Sequence, residues 1–161
     1  MNTQRTKNSY LTFELGGELF SISVFKVIEI IEFPEVTKVP NSPEYLLGVI
    51  NLRGNVIPLV DTRYKFSMDG ALDKSMQSVI IMELSIEGEM MLVGGVVDKV
   101  LDVIELNDNE LKPSPSLGSK YKPAFVLGMG EFKDNFYMLI DIDKVFSTEE
   151  IVLLKENNNN D

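Results

Sequence analysis

The chain has 161 residues, of which 44% are apolar, and it carries a formal net charge of −10. This apolar content suffices for one domain with a buried core, and the acidic surface argues against nucleic acid and anionic membranes as partners. Because the sequence contains neither His nor Cys, it lacks the usual neutral-pH general base, thiol nucleophiles, thiolate metal sites and disulfides.

Short apolar segments in the first half of the chain predict a series of β-strands. Residues 1–8 are polar and contain no signal-peptide core, and no apolar run of the chain reaches membrane-spanning length, so we expect a cytoplasmic protein. Residues 10–15 and 18–24 flank a Gly-Gly pair and predict a hairpin. A strand over residues 29–33 and a proline-containing loop over residues 39–43 follow.

The most informative segment, residues 48–61, holds two β-branched runs around a polar centre with one arginine. β-Branched residues favour strands, and Gly54-Asn55 favours a turn with positive φ. Arg53 is therefore predicted to lie on a tight hairpin turn, anchored by two strands. A cation held in this way is better placed to bind a partner than one on a loose loop.

The second half predicts the same kinds of element. Residues 78–83 and 90–97 predict a strand pair, residues 107–123 predict a long loop, and residues 125–142 predict two strands around Lys133-Asp134-Asn135. A capping box at residues 147–150 predicts a short helix to about residue 156, followed by an asparagine-rich end.

The two halves are internal repeats. An offset of 80 residues aligns the segment from Gly48 to Phe66 with that from Gly128 to Phe146, and an offset of 73 aligns Val27–Ile31 with Val100–Ile104. The first offset places Arg53 opposite Lys133. Two β modules of roughly 75 residues that share a core are therefore predicted, and their many short strands with Gly/Pro turns are typical of small barrels.

The segment Gly-Val-Ile-Asn-Leu-Arg-Gly-Asn-Val-Ile-Pro-Leu-Val-Asp at residues 48–61 closely resembles the signature segment of the CheW-like chemotaxis coupling proteins. The resemblance extends from about Tyr10 to Leu154. It implies an all-β fold of two intertwined SH3-like five-stranded β-barrel subdomains with a short C-terminal helix. We expect one domain over residues 9–154, with disordered tails at residues 1–8 and 157–161. Subdomain 1 would consist mainly of about residues 9–66 together with 140–154. Subdomain 2 would consist mainly of about residues 75–139.

The same resemblance implies a non-enzymatic scaffold that couples transmembrane chemoreceptors to the histidine kinase CheA in signalling arrays. The receptor's helical hairpin tip would dock in an apolar groove between the subdomains, and the kinase regulatory domain would bind another surface. The protein would be monomeric when free and recruited to membrane-associated arrays without inserting into the membrane. No cofactor is expected. The alternative is a CheW-like adaptor of a non-chemotaxis kinase pathway, such as motility or biofilm control.

By resemblance, the receptor-binding residues are Val27, Glu29 and Arg53, the kinase-binding residue is Gly48, and Gly54 is a structural turn residue. We hypothesise a Glu29–Arg53 ion pair across neighbouring strands that makes the docking surface rigid. Val27 is equally well explained by core packing. For Gly48 the alternative is a backbone requirement, which the glycine at the same place in the second repeat supports, and the two roles are compatible.

Enzymatic functions find little support in the sequence. Asp61 and Asp141 occupy equivalent repeat positions, as paired aspartates do in aspartic proteases, but neither is followed by the required glycine loop. Strand-end aspartates that bond the local backbone are the better interpretation. The acidic residues Asp98, Asp102 and Glu105 lack EF-hand spacing and are interpreted as a solvated face. No catalytic or metal-binding residue is therefore predicted.

Overall fold

The computed structural model describes residues 8–65, 77–86, 88–113 and 125–146. These residues form an all-β fold of two sheets, with one short helix and three 3-10 turns. The predicted C-terminal helix and both predicted tails, apart from Asn8, lie outside the described residues. No helix among the described residues is long and apolar enough to cross a membrane.

Within the described residues, eleven strands follow one another. Their bounds are β1 Asn8–Leu15, β2 Glu18–Ser23, β3 Val27–Glu32, β4 Leu46–Leu52, β5 Asn55–Asp61, β6 Ser78–Ile86, β7 Glu89–Val97, β8 Lys99–Leu106, β9 Leu111–Lys112, β10 Val126–Phe132 and β11 Asn135–Ile140. The helix α1 spans Thr62–Lys65, and the 3-10 turns span Val24–Lys26, Asp108–Glu110 and Ile142–Lys144.

The two sheets exchange hairpins between the repeats. Sheet A has the strand order β8-β1-β2-β11-β10-β9, and sheet B has the order β3-β6-β7-β5-β4. The β1–β2 hairpin of the first repeat therefore lies among strands of the second, while the β6–β7 hairpin lies among strands of the first. The segments assigned from the sequence to subdomain 1 (about 9–66 with 140–154) and to subdomain 2 (about 75–139) each contribute strands to both sheets.

Two parallel strand pairs join each exchanged hairpin to a strand of the other repeat. Strand β5 pairs with β7, with Leu59 opposite Gly94, and β11 pairs with β2, with Leu139 opposite Ser21. All other pairings of named strands are antiparallel. Central strands such as β5 and β6 are buried on both faces, which explains their nearly continuous apolar sequences.

The buried apolar side chains of the described residues form three clusters. The largest lies between the sheets and combines side chains of β1 and β2 with side chains of β5, β6 and β7, so both repeats contribute to one shared core. A smaller cluster belongs to sheet B and includes Ile57, Leu59 and Val79. The third belongs to sheet A and includes Leu106 and Leu139. The shared core agrees with the expectation that two modules of this size stabilise each other by common burial.

Candidate functional site

A two-residue turn joins β4 and β5 and carries the predicted arginine. Leu52 pairs with Asn55, and the two residues between them, Arg53 and Gly54, have φ values of +52° and +87°. Positive φ at both central residues is the geometry of a type I′ hairpin turn, which matches the twist of the flanking strands. The turn lies one residue earlier than the predicted Gly54-Asn55, and Arg53 itself adopts the left-handed conformation.

The side chain of Asn51 supports the turn by accepting a hydrogen bond from the Gly54 N–H at 2.9 Å. An arginine in the left-handed region is uncommon because its Cβ crowds the backbone. The strand pairing on both sides and this side-chain bond hold the turn in place. The arginine is consequently presented from a defined backbone rather than from a mobile loop.

Arg53 and Glu29 form a bidentate ion pair, as hypothesised from the sequence. Arg53 Nη1 donates to Glu29 Oε2 at 2.5 Å and Nη2 donates to Oε1 at 2.7 Å. Glu29 lies on β3, one edge of sheet B, and Arg53 follows β4, the other edge. The pair therefore bridges the two edges of a sheet that curls on itself. The planar guanidinium fork matches a carboxylate in a way that lysine cannot.

The electrostatics of the pair follow from this geometry. The hydrogen bonds from Arg53 hold the pKa of the Glu29 carboxyl below its ordinary value, and the same hydrogen bonds raise the pKa of the Arg53 guanidinium. The arginine side chain remains 71% exposed, whereas that of Glu29 is 21% exposed. The edge of the guanidinium formed by Nη1 and Nη2 is thus fixed by Glu29, while the rest of the group is accessible to a partner.

Large apolar side chains are exposed beside this pair. Ile28 and Ile30 flank Glu29 on β3 and are 51% and 44% exposed, and Phe25 in the preceding 3-10 turn is 85% exposed. We call Phe25, Ile28 and Ile30 the apolar edge. Exposed apolar side chains that lie together mark partner surfaces. The sequence prediction missed these residues, because the sequence alone does not show that β3 is an edge strand with this face exposed.

Val27 is half-buried and packs against the shared core. The β3–β6 register shifts between Val27 and Glu29, so that Val27 points towards the core between the sheets. Packing is therefore part of the role of Val27. Any contact that it makes with a partner would involve only its exposed remainder, next to the apolar edge.

Gly48 is buried and lies in a crowded place. Its φ is +150°, and a Cβ at this position would meet the backbone oxygen of Thr37 and approach Val36 Cγ1 to 2.6 Å. Thr37 and Val49 exchange two backbone hydrogen bonds of 2.9 and 2.8 Å directly over this position. The glycine is thus required by the close approach of another backbone segment.

The aspartates at the strand ends bond the local backbone. The Asp61 carboxylate accepts hydrogen bonds from the N–H groups of Arg63 and Tyr64, and Asp141 accepts one from Asp143. This is the local bonding pattern expected of such residues, and each carboxylate is engaged by the backbone that directly follows it. Among the residues that the structure describes, no group of three or more acidic side chains is arranged to hold a metal ion.

Asp98 was predicted to belong to a solvated acidic face, but in the structure its carboxylate is held by three hydrogen bonds. Its carboxylate accepts hydrogen bonds from the Gly16 N–H, Arg63 and Gln77. Burial alone would raise the pKa of Asp98, but these three hydrogen bonds together outweigh it and lower the pKa. The prediction for Asp98 was wrong because its partners come from elements that are distant in sequence.

Comparison with known proteins identifies relatives of this chain in both sequence and fold. A family model described as the CheW-like domain matches residues 9–150. The chain is 34% identical over 145 residues to the chemotaxis protein CheW of Klebsiella aerogenes, covering 90% of this chain and 85% of that protein. It is 32% identical to the chemotaxis protein CheW of Rhizobium meliloti, covering 87% and 88%. The crystal structure of the scaffolding protein TtCheW from Thermoanaerobacter tengcongensis superposes with a TM-score of 0.77 at 29% identity, covering 90% of this chain and 96% of that one.

Proposed function

The chain belongs to the CheW-like domain family and is a chemotaxis scaffold, and we propose that it works purely by binding, with chemoreceptors on one surface and the histidine kinase CheA on another. The bidentate Glu29–Arg53 pair beside an exposed apolar edge is the observation that carries this proposal. Such a surface suits recognition of a folded partner, since it combines a fixed cation with apolar contact area.

The receptor-binding surface of this proposal consists of Arg53, Glu29, the exposed part of Val27 and the apolar edge. A helical hairpin tip would lay its apolar face against Phe25, Ile28 and Ile30, as amphipathic helices do in hydrophobic grooves. Arg53 would meet a polar or acidic group at the rim. An exposed ion pair contributes little to stability because solvent screens it, so the value of Glu29 lies in orienting Arg53.

The kinase-binding role of Gly48 would be indirect. Gly48 is buried beneath Thr37, so a partner cannot touch it without displacing that segment. We propose that the glycine supports kinase coupling by letting residues 36–37 lie against β4 and so shaping the surface around them. Receptor state would then be transmitted as a change in relative affinity between the two partners. In this view the protein is monomeric in the cytoplasm and recruited to receptor arrays.

Titration of labelled partner fragments tests the role of Arg53. A chemoreceptor hairpin fragment and the CheA regulatory domain would each be titrated with the wild type, Arg53→Ala and Lys133→Ala. We expect Arg53→Ala to weaken receptor binding about tenfold or more, the size of effect that a central interface arginine produces. Lys133→Ala, the equivalent change in the other repeat, should leave receptor binding intact. Unchanged binding of Arg53→Ala to both partners would refute the role of Arg53.

A second pair of variants tests the apolar edge in the same assay. Ile30 and Val103 are equivalent residues of the two repeats and are 44% and 55% exposed. Ile30→Ser should weaken receptor binding by roughly fivefold to tenfold, since it removes buried apolar area from the complex. Val103→Ser removes a comparable exposed side chain from β8 and should not. Equal losses in the two variants would show that the receptor does not dock at the apolar edge.

A further inference from the structure

The connections that follow β2 and β7 are equivalent parts of the two repeats, yet they turn different residues inward. An offset of 73 residues aligns Phe25-Lys26 with Asp98-Lys99. In the first connection Phe25 is 85% exposed, whereas the side chain of Lys26 is only 27% exposed. In the second connection the side chain of Asp98 is 23% exposed, whereas Lys99 is exposed. The two equivalent lysines therefore take opposite orientations, so residue type at that position does not decide which side chain turns inward.

The residue that meets the inward side chain has opposite charge in the two repeats. An offset of 80 residues aligns Arg63 with Asp143. Arg63 Nη2 lies 2.6 Å from Asp98 Oδ2, and Lys26 Nζ lies 2.6 Å from Asp143 Oδ2. All four side chains are at least seven-tenths buried, so solvent screens these charges less than it screens surface charges. The cation after β5 thus holds an acidic residue of the connection, and the anion after β11 holds a basic one.

A backbone N–H group completes each of these two clusters. The Gly16 N–H donates to Asp98 at 2.7 Å, and the Ser85 N–H donates to Asp143 at 2.8 Å. The registers of β1 with β8 and of β6 with β3 make Gly16 and Ser85 equivalent. Each cluster therefore contains the same N–H donor, one carboxylate and one cation, but the carboxylate and the cation have exchanged places. The Ser85 bond engages Asp143 Oδ1 and leaves Oδ2 for Lys26.

Few other contacts hold the 3-10 turn that carries Phe25. None of the residues in Val24–Lys26 is buried. Val27 packs against the shared core, but so does its equivalent Val100, although the second connection turns the other residue inward. Ser23 Oγ accepts a hydrogen bond from the Phe25 N–H at 3.3 Å, and the equivalent valine of the second repeat has no hydroxyl. Among the described residues, the ion pair and this cap are the contacts that distinguish the first connection.

We infer that Asp143, in the second repeat, is a positioning residue for the receptor-binding surface of the first. By pairing with Lys26 it turns that side chain inward, and the preceding residue, Phe25, is thereby presented to a partner. The inference rests on the receptor-binding role proposed above for the apolar edge. An aromatic side chain that is already held in place does not have to be ordered during binding, which increases affinity.

Five variants separate the ion pair from the cap and from general loss of stability. Asp143→Asn keeps an oxygen that can accept the Ser85 N–H and removes the charge that faces Lys26. Lys26→Met removes the cation, whereas Lys26→Arg keeps it and should behave like the wild type. Asp98→Asn is the matched control, because it makes the same change in the equivalent cluster. Ser23→Ala removes the cap and leaves the ion pair intact.

Positioning would be measured without any partner, by fluorescence. The chain contains no tryptophan, so Phe25→Trp introduces a single reporter at an exposed place. When Asp143→Asn or Lys26→Met is added, we expect the acrylamide quenching constant of the reporter to fall about twofold, because a released aromatic ring turns away from water onto neighbouring apolar surface. Lys26→Arg and Asp98→Asn should leave the quenching constant at the value of the parent variant.

The consequence for binding would be measured by titrating a chemoreceptor hairpin fragment with the same variants in the Phe25 background. Asp143→Asn and Lys26→Met should weaken receptor binding about threefold to tenfold, and Lys26→Arg should restore it. Phe25→Ala tests the proposed receptor-binding surface itself. If Phe25→Ala binds the fragment as the wild type does, the receptor-binding role of the apolar edge fails, while the quenching constants still decide whether Asp143 positions the side chain.

An unchanged or higher quenching constant in both Asp143→Asn and Lys26→Met would overturn the inference. So would an equal change in Asp98→Asn, which would reflect general destabilisation, or a change confined to Ser23→Ala, which would assign the positioning to the cap. If Asp143→Asn does not fold, Lys26→Met decides, because it leaves the bond between Ser85 and Asp143 in place. If Phe25→Ala weakens receptor binding and neither ion-pair variant does, positioning by Asp143 has no functional consequence and the inference is wrong.

Discussion

The β4–β5 and β10–β11 hairpins share one backbone and differ in their chemistry. Arg53 and Gly54 have φ values of +52° and +87°, and Lys133 and Asp134 have +51° and +66°. In the first hairpin Arg53 is fixed by Glu29 on β3. In the second, Lys133 Nζ lies over the Phe132 ring at 5.4 Å, and within the described residues Asp102, the equivalent of Glu29, makes no ion pair.

This difference shows that the turn geometry is common to both hairpins, whereas the bidentate ion pair occurs in the first of them. A type I′ turn needs residues that tolerate positive φ, and both repeats satisfy that need with different side chains. The bidentate pair needs a guanidinium and a carboxylate of sufficient reach, and Lys133 with a shorter Asp102 provides neither. The proposed binding role of the first hairpin therefore rests on two side chains, Glu29 and Arg53, on a scaffold that the second hairpin shares.

The largest effect on stability is expected at the glycine in the first strand of each hairpin. Gly48→Ala should destabilise the protein by about 3 kcal/mol, because it combines a positive φ with a clash against the Thr37 backbone. Gly128→Ala brings a Cβ to 2.7 Å from the Lys112 oxygen, but that oxygen belongs to the two-residue edge strand β9, which can shift. We expect roughly 1–2 kcal/mol there. Denaturant unfolding measures both, and equal losses would contradict the difference between the repeats.

Substitutions in the two turns should change the stability of the protein in opposite directions. Gly54→Ala places a Cβ in open space but in a left-handed conformation, so it should cost about 1 kcal/mol. Asp134→Gly removes that strain from the second turn and should stabilise by roughly 0.5 kcal/mol. Thermal unfolding of the two variants against the wild type provides the measurement. A stabilising Gly54→Ala would mean that the first turn is not held in the type I′ geometry.

Local features of this molecule were predictable from the sequence, and long-range ones less so. The hairpins, the capping role of Asp61 and Asp141, and the all-β class follow from residue type and short spacing. The turn position was wrong by one residue, because Arg53 accepts a positive φ that residue preferences assign to Gly54 and Asn55. The Glu29–Arg53 contact came from family resemblance, since nothing local brings β3 to the β4–β5 turn.

The exposure of the apolar edge and the ion pair between Asp98 and Arg63 needed three-dimensional information. An isoleucine in an alternating strand is expected to face a core, and only the edge position of β3 and the register shift after Val27 expose Ile28 and Ile30. Likewise, Asp98 finds Arg63 only because two strands distant in sequence pair in parallel. Pairing between repeats is the step that sequence patterns describe least well.

A grafted ion pair tests whether side chains alone distinguish the hairpins. Asp102→Glu combined with Lys133→Arg should form a second bidentate pair and stabilise the protein by less than about 1 kcal/mol, because the site is exposed. A double-mutant cycle with the two single variants isolates the coupling between the new side chains. A coupling of zero would indicate that the backbones of the two repeats differ more at this site than the turn geometry suggests.

The smallest effect on stability is expected from the Glu29–Arg53 ion pair itself, and titration of Glu29 measures this pair most directly. Because hydrogen bonds from Arg53 lower the pKa of Glu29 in the folded protein, the unfolded state binds protons first as the pH falls. The pair therefore contributes stability above the ordinary pKa of a glutamate, and this contribution disappears as the pH falls through the lowered pKa. Carboxyl ¹³C NMR should show the pKa of Glu29 rising in Arg53→Ala and unchanged in Lys133→Ala. A Glu29 pKa that does not respond to removal of Arg53 would mean that the pair is open in solution, and Arg53 would then be oriented by its turn alone.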